Sequence, residues 1–187
     1  MKIIGFVASP RKAGNTAWAV NTILEEAEKR GAEIKLFYFS ELNIKPCQGC
    51  FSCKNGNKTG CVLADDMQKI FAAMDGADAL VFGSPLYMGQ MSGQAKIFLD
   101  RLSSQFMPRF SPYYKEYPVK KLIIVFTQGN PDSSMFQPYY DYTKSMFQLL
   151  GFDAELHIIT GLRNGPAYEK EEQRTATEHV GRSLVTE

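Results

Sequence analysis

Short apolar runs alternate along the chain with longer segments whose apolar positions recur every three or four residues. Residues 2–8, 33–39, 79–83, 121–127 and 153–160 read as five strands. Three of them, Ile3-Ile4-Gly5-Phe6-Val7, Ala79-Leu80-Val81-Phe82 and Leu122-Ile123-Ile124-Val125-Phe126, are apolar on both faces. Burial on both faces is what central parallel strands under helices require. Residues 16–30 place Ala17, Val20, Ile23, Leu24 and Ala27 on one helical face, and Gly31 ends that helix. Further helices are expected over 65–74, 92–104 and 134–150. Asp65 and Gln68 have the spacing of a capping box, and Gly151 is a stop. A polar helix near 167–186 closes the chain, with Ala176, Val180 and Leu184 as a narrow apolar stripe. Five strands alternating with five helices predict an α/β domain, a doubly wound five-stranded parallel sheet with helices on both faces.

Right-handed crossovers put the loops after the first, third and fourth strands on one sheet edge. Ligands of such sheets bind at the carboxyl ends of the strands. The first of these loops reads Ser9-Pro-Arg-Lys-Ala-Gly-Asn15-Thr16 and runs straight into a helix. A helix N-terminus offers unpaired N–H groups and a positive dipole end, both suited to phosphate. Ser9, Asn15 and Thr16 add polar side chains, and Arg11 adds a charge suited to phosphate oxygens. The loop lacks the Gly-Lys-Ser/Thr of a Walker loop and the Gly-x-Gly-x-x-Gly of a dinucleotide site. Taken alone it also reads as a polar turn with a plain helix cap. Gly83-Ser-Pro-Leu-Tyr-Met-Gly89 sets a rigid Pro and exposed apolar side chains beside backbone amides, a surface for a flat heteroaromatic ring. Thr127-Gln-Gly-Asn-Pro131 follows the fourth strand on the same edge. In isolation each of these two loops is ordinary turn chemistry, and only their shared placement raises them above it.

At 187 residues the chain fits one domain, 1–187, and 44% hydrophobic residues supply a full core. The formal charge of +1, from 21 basic and 20 acidic side chains, gives no basic field for nucleic acid. The apolar run at the N-terminus is too short for a leader or a membrane span, so a reducing cytoplasm is expected. In that setting the chain's four cysteines take on meaning. They lie within residues 47–61 as Cys47-x2-Cys50-x2-Cys53-x7-Cys61, inside a loop expected over 40–63. Such runs ligate iron–sulfur clusters. Free or oxidised thiols and zinc stay open as alternatives, although structural zinc usually shows two separated ligand pairs.

Ser9-Pro-Arg-Lys-Ala-Gly-Asn15-Thr16, Gly83-Ser-Pro-Leu-Tyr87 and its continuation Met91-Ser-Gly-Gln-Ala-Lys-Ile-Phe-Leu-Asp100-Arg101 together resemble the NADPH-dependent FMN reductase-like branch of the flavodoxin-like fold. With Cys47 to Cys61 followed by Asp65-Asp66-Met67, the chain looks most like the iron–sulfur flavoproteins of that branch. The resemblance spans roughly residues 1–160. It implies FMN phosphate at Ser9, Arg11, Asn15, Thr16 and Ala17, and the flavin ring against Pro85, Leu86, Tyr87 and Met88 with Thr127 and Gly129 nearby. It further implies a [4Fe–4S] cluster on Cys47, Cys50, Cys53 and Cys61, and a homodimer or homotetramer. NAD(P)H as donor and a ferredoxin-like redox partner belong to the same expectation. Two rival readings remain: an FMN, quinone or nitro reductase with an empty cysteine loop, and a non-catalytic electron carrier.

No residue is assigned a catalytic acid or base role, because hydride transfer to flavin needs none. His157 and His179 read as structural or surface groups. Asp100-Arg101 reads as a structural ion pair. Two aromatic stretches, one with Phe106, Phe110, Tyr113, Tyr114 and Tyr117 and one with Phe136, Tyr139, Tyr140 and Tyr142, read equally as core cover or as an interface or lid.

Overall fold

The computed structural model describes residues 1–54, 60–106 and 119–185. The elements run β1 (Lys2–Val7), α1 (Asn15–Glu28), β2 (Glu33–Tyr38), α2 (Met67–Asp75), β3 (Ala79–Tyr87) and β4 (Gln90–Met91). They continue with α3 (Gly93–Phe106), β5 (Lys120–Thr127), α4 (Gln137–Leu149), β6 (Phe152–Ile159) and α5 (Glu171–Leu184). Five strands form a parallel sheet in the order β2-β1-β3-β5-β6. This is the doubly wound α/β arrangement expected from the alternation of runs.

The period-2 alternation of a strand divides the core. Ile4, Phe6, Leu80, Phe82, Leu122, Ile124 and Phe126 face α2, α3 and α4. Ile3, Val7, Ala79, Val81, Ile123 and Val125 face α1 and α5. Phe6, Phe39, Phe82 and Phe98 form an aromatic knot in the first of these layers, with ring centroids 5.1 to 6.4 Å apart.

Four local expectations change. The third strand does not stop at Gly83. It runs on to Tyr87 and turns back into β4, pairing Leu86 with Met91 and Tyr87 with Gln90. The two turn residues both have positive φ, +49° at Met88 and +78° at Gly89, as a tight hairpin turn demands. Next, Asp65 and Gln68 do not form a capping box. Helix α2 starts at Met67, and the Gln68 amide instead donates to the carbonyls of Cys61 and Leu63, both at 3.0 Å. The segment expected as one helix over 134–150 opens with a 3-10 turn, Ser134–Phe136, before α4.

The fourth change concerns the stripe of α5, of which Leu184 and Val180 pack on the core as expected but Ala176 does not. Its buried residues are Thr177, Gly181 and Leu184, whereas Ala176 is exposed. A side-chain carbon on Gly181 would lie 2.5 Å from the Ile23 carbonyl oxygen. Only glycine lets α5 lie this close on the backbone of α1. Of the two aromatic stretches, 107–118 lies outside the described residues. The second divides, with Tyr140 fully buried and Tyr142 exposed.

His157 on β6 places its Nε2 2.9 Å from the Thr177 hydroxyl of α5. Burial pushes the imidazole down to about 4. Above pH 6.5 the ring is neutral folded or unfolded, so it confers no pH dependence there. As pH falls from 6.5 towards 4, the unfolded chain takes up a proton that the folded chain refuses. Over that window the folded state should lose about 2–3 kcal/mol relative to a His157→Gln chain. Urea midpoints at pH 7.0 and 4.5 measure it, and an equal drop in both chains would refute it.

Candidate functional site

The loops after β1, β3 and β5 meet at the carboxyl edge of the three central strands, joined by the turn after β6. Ala8 carries the β1 chain past the sheet, its N–H bonded to the Gly83 carbonyl at 2.8 Å. Ser9 is buried and its hydroxyl accepts the Arg11 N–H at 3.1 Å, which turns the chain. Arg11 and Lys12 are exposed, and Lys12 pairs with Glu41. Gly14 then starts α1 in extended conformation, and no side chain caps the helix. The first N–H groups of a helix have no partner within it, so here they are left facing this edge for an acceptor.

The predicted phosphate residues divide into two kinds. Ala17 is buried under the helix start. Asn15 and Thr16 already have protein partners. The Asn15 Oδ1 accepts the Ala167 N–H at 2.8 Å. The Thr16 hydroxyl meets the Thr127 hydroxyl at 2.6 Å, tying the head of α1 to the end of β5. These two side chains therefore shape the loop, which leaves its backbone amides, Ser9 and Arg11 as the groups that could meet an anion.

Around the ring-binding candidates, Pro85 is buried, Leu86 is half-buried, Tyr87 is exposed and Met88 stands fully in solvent. Ser92 fixes this hairpin. Its hydroxyl donates to the Ala8 carbonyl at 2.6 Å and accepts the Ala95 N–H at 3.2 Å, capping α3. The Ser84 hydroxyl accepts the Ser92 N–H at 3.0 Å. The Met91 N–H donates to the Tyr139 hydroxyl at 2.9 Å. Past β5, Gly129 lies against the side chain of Arg163.

Sequence reasoning missed the group that holds this last loop. Gln128 is buried and its amide donates to the carbonyls of Asn130 and Asp132, each at 2.8 Å. Its carbonyl oxygen accepts from the Tyr140 hydroxyl. Burial raises the Tyr140 phenol to about 12, which keeps it a donor. A polar residue after a strand gave no signal of this. Ser84, Ser92 and Arg163 were missed for the same reason.

The four cysteines lie on the stretch between β2 and α2, which also leaves the carboxyl end of its strand. All four line one cavity, together with Phe51, Val62, Asp100 and Arg101. None is in a disulfide. Among the described residues no three of these groups stand close enough together to hold a metal ion. Burial raises the Cys53 thiol above its ordinary range and the neighbouring Cys61 raises it further, whereas a hydrogen bond with Ser52 lowers Cys50.

Beneath the cavity the supposed Asp100–Arg101 pair does not exist. Asp100 pairs with exposed Lys96 at 2.5 Å. Arg101 turns inward, 1% exposed, and grips Asp65 with two nitrogens at 2.6 and 3.2 Å. Asp65 also accepts the Lys45 N–H at 2.8 Å and the Met67 N–H at 3.1 Å. Burial opposes ionisation of Asp65, but the Arg101 and Lys45 donors outweigh it and hold the carboxyl below its ordinary range. The reason for the mispairing is helical geometry, since adjacent residues on a helix point to different faces.

The chain matches known proteins at three levels. The sequence pattern of the NADPH-dependent FMN reductase family matches residues 1–137. An iron–sulfur flavoprotein of Methanocaldococcus jannaschii is 38% identical over 101 residues, 54% of this chain and 51% of that protein. An iron–sulfur flavoprotein of Clostridioides difficile is 30% identical over 171 residues, 89% of this chain and 71% of that protein. The chain thus matches about half the length of its archaeal relatives. Among solved structures, an NAD(P)H:quinone oxidoreductase from Methanothermobacter marburgensis superposes with a TM-score of 0.80 at 15% identity, covering 100% of this chain and 97% of that one. An FMN-dependent NADH-azoreductase from Bacillus anthracis, solved with FMN, superposes with a TM-score of 0.70 at 16% identity, over 100% of both chains. These two likenesses establish the flavodoxin-like fold. Taken with the family match over 1–137, the chain belongs to the NADPH-dependent FMN reductase family of flavin oxidoreductases, and within it to the iron–sulfur flavoproteins.

Proposed function

We propose that the chain is an FMN-dependent oxidoreductase that passes electrons between FMN and a [4Fe–4S] cluster, with NAD(P)H or a ferredoxin-like partner at the other end. The observation that carries the flavin half is the uncapped head of α1 at the edge where three loops converge. FMN, when bound, exchanges electron pairs as hydride as well as single electrons, and an iron–sulfur centre exchanges single electrons.

The chain's own groups then have distinct tasks. The α1 amides, Ser9 and Arg11 bind the phosphate. Asn15 and Thr16 hold that loop in shape through Ala167 and Thr127. Pro85, Leu86, Tyr87 and Met88 supply a face for the ring, and Gly129 lets the opposite loop approach it. The exposed Tyr87 and Met88 would lose water on binding, which favours the complex. Cys47, Cys50, Cys53 and Cys61 are the thiolate donor set, and their chemistry suits iron–sulfur ligation. An oligomer with this edge near the subunit contact fits the same reading.

Two measurements test it. Cofactor released by heat should run as FMN, because the loop is sized for one terminal phosphate and lacks a dinucleotide fingerprint. Recovery of FAD, or no flavin after reconstitution, would sink the flavin half. Iron and acid-labile sulfide on anaerobically reconstituted protein decide the cluster half. A second reading, a reductase of flavin, quinone or nitro compounds with an empty cysteine loop, is favoured by the absence of a metal-ready trio of sulfurs among the described residues. An iron-free, fully flavinated and active protein would select it.

Arg11→Ala should weaken FMN binding by about 1–3 kcal/mol, the scale of a hydrogen bond to a charged group. Fluorescence quenching gives the dissociation constant. A value equal to the parent's would mean that the exposed guanidinium serves only solvent.

A further inference from the structure

The Arg101 guanidinium is buried, at 1% exposure, and its donors are not all used. One terminal nitrogen donates to Asp65 and to the Lys45 carbonyl, at 2.6 and 2.8 Å, and the other donates to Asp65 at 3.2 Å. Of the two N–H groups left over, the Nε–H is buried with no partner. A buried donor left unpaired is costly, so such an atom calls for an acceptor. The groups around it narrow the choice. Arg101 lines the same cavity as all four cysteines. Against the opposing effect of burial, Asp65 and, after it, Cys61 hold the guanidinium above its ordinary range. The Gln68 amide holds the Cys61 backbone at the same place, at 3.0 Å from its carbonyl. Nothing else in the cavity lining is an anion except Asp100, which is occupied with Lys96.

We propose that Arg101 is a positioning residue of the cysteine site, its Nε–H reserved for sulfur at Cys61 once that sulfur ligates a cluster. The proposal rests on the reading of Cys47, Cys50, Cys53 and Cys61 as cluster ligands. Two physical consequences follow. Hydrogen bonds to ligand sulfur withdraw electron density and raise the potential of an iron–sulfur centre. Asp65 cancels most of the guanidinium charge, so the effect is carried chiefly by the directed N–H and not by a bare cation. Arginine suits this task and lysine does not, because only the guanidinium fork can grip Asp65 with its end and present a third donor from its side.

The test is an anaerobic redox titration of the reconstituted holoprotein, with dithionite as reductant and the reduced cluster read by electron paramagnetic resonance. Each dithionite-derived electron converts one oxidised cluster to one reduced cluster, so the ratio of the two at a fixed potential is the readout. Two variants are compared with the parent. Arg101→Lys keeps a cation for Asp65 and removes the side donor. Asp65→Asn/Arg101→Met removes both charges together and so leaves no buried ion unpaired. At the potential where the parent cluster is half reduced, both variants should show a reduced-to-oxidised ratio about tenfold lower, equivalent to about 59 mV for a one-electron couple. Iron and flavin content fix the loading of each protein. Should the lysine chain fail to fold, the paired variant still gives the ratio. Variants that carry full iron and keep the parent ratio overturn the role of Arg101 alone. A parent that takes up no iron overturns the cluster reading, and this role with it.

Discussion

Cys50→Ala protein should leave an anaerobic column carrying FMN and essentially no iron. Cys50 is exposed, so losing its sulfur removes little from the core. The Ser52 hydrogen bond that lowers its thiol favours the thiolate that ligation needs. A methyl group cannot replace that thiolate, and a four-iron cluster with three cysteine anchors loses a ligand it has no near substitute for. The flavin side should be untouched. The cysteines hang from the end of β2, whereas the phosphate loop leaves β1 and the ring loops leave β3 and β5. Direct reduction of flavin by NAD(P)H should persist while electron exchange through the cluster falls to background. Iron, sulfide, flavin and both activities, measured side by side with the parent, decide it. A variant that keeps its iron would show that Cys50 is not a ligand.

The largest loss of stability is expected from Asp65→Ala, about 3–5 kcal/mol, the usual range for removing one partner of a buried pair. The substitution strands the Arg101 guanidinium in the interior, where both side chains are almost inaccessible. It also removes the acceptor of the Lys45 and Met67 amides, so both ends of the cysteine stretch lose their anchor. Asp100→Ala is the control, since Asp100 and its partner Lys96 are both exposed and such pairs contribute little. Urea midpoints at pH 7 compare the two. Similar midpoints would mean that the interior pair is no more than a surface one. The acid limb gives a second check. The Asp65 carboxyl is held below its ordinary range, so its contribution is present above about pH 4 and is lost as pH falls through its folded value. The Asp65→Ala chain should lack that loss.

The sheet was readable because its central strands are apolar on both faces, a pattern no surface helix shows. Ile3 to Val7 and Leu122 to Phe126 gave themselves away in this manner, and the helix over Asn15–Glu28 did so through its spacing. Features set by pairing at long range were not readable. The Asp65–Arg101 grip joins positions 36 apart in the chain. The hairpin after β3 hid because Met88-Gly89 lacks the Asn-Gly signature of a tight turn. The inward face of α5 was legible only in part: Val180 and Leu184 do pack on the core, but its polar and glycine members carry no apolar signal. Thr177 is buried by its bonds to His157 and the Gln173 carbonyl, and Gly181 by the nearness of α1. At the candidate flavin edge the loops were found, but the parts played by Asn15 and Thr16 depend on Ala167 and Thr127, whose proximity only the fold reveals.

The position of β2 has an evolutionary reading. It is an edge strand, paired to β1 alone, and the stretch of 40–66 departs from it and returns to α2. The stretch is a detour whose ends are pinned to each other. Asn43 N–H donates to Asp66 at 2.9 Å, Asp66 N–H to the Asn43 carbonyl at 3.1 Å, and Lys45 N–H to Asp65 at 2.8 Å. With the mouth closed in this way, lengthening the detour costs little, about 0.6 kcal/mol for each doubling of a flexible loop. No strand register depends on what the detour contains, and the phosphate loop's ion pair with this stretch, Lys12 to Glu41, lies outside the pinned mouth. Descendants of such a chain can therefore gain, respace or shed thiols one at a time while each intermediate sequence still folds around its flavin. Lineages with a metal centre and lineages without one become neighbours separated by a few neutral steps.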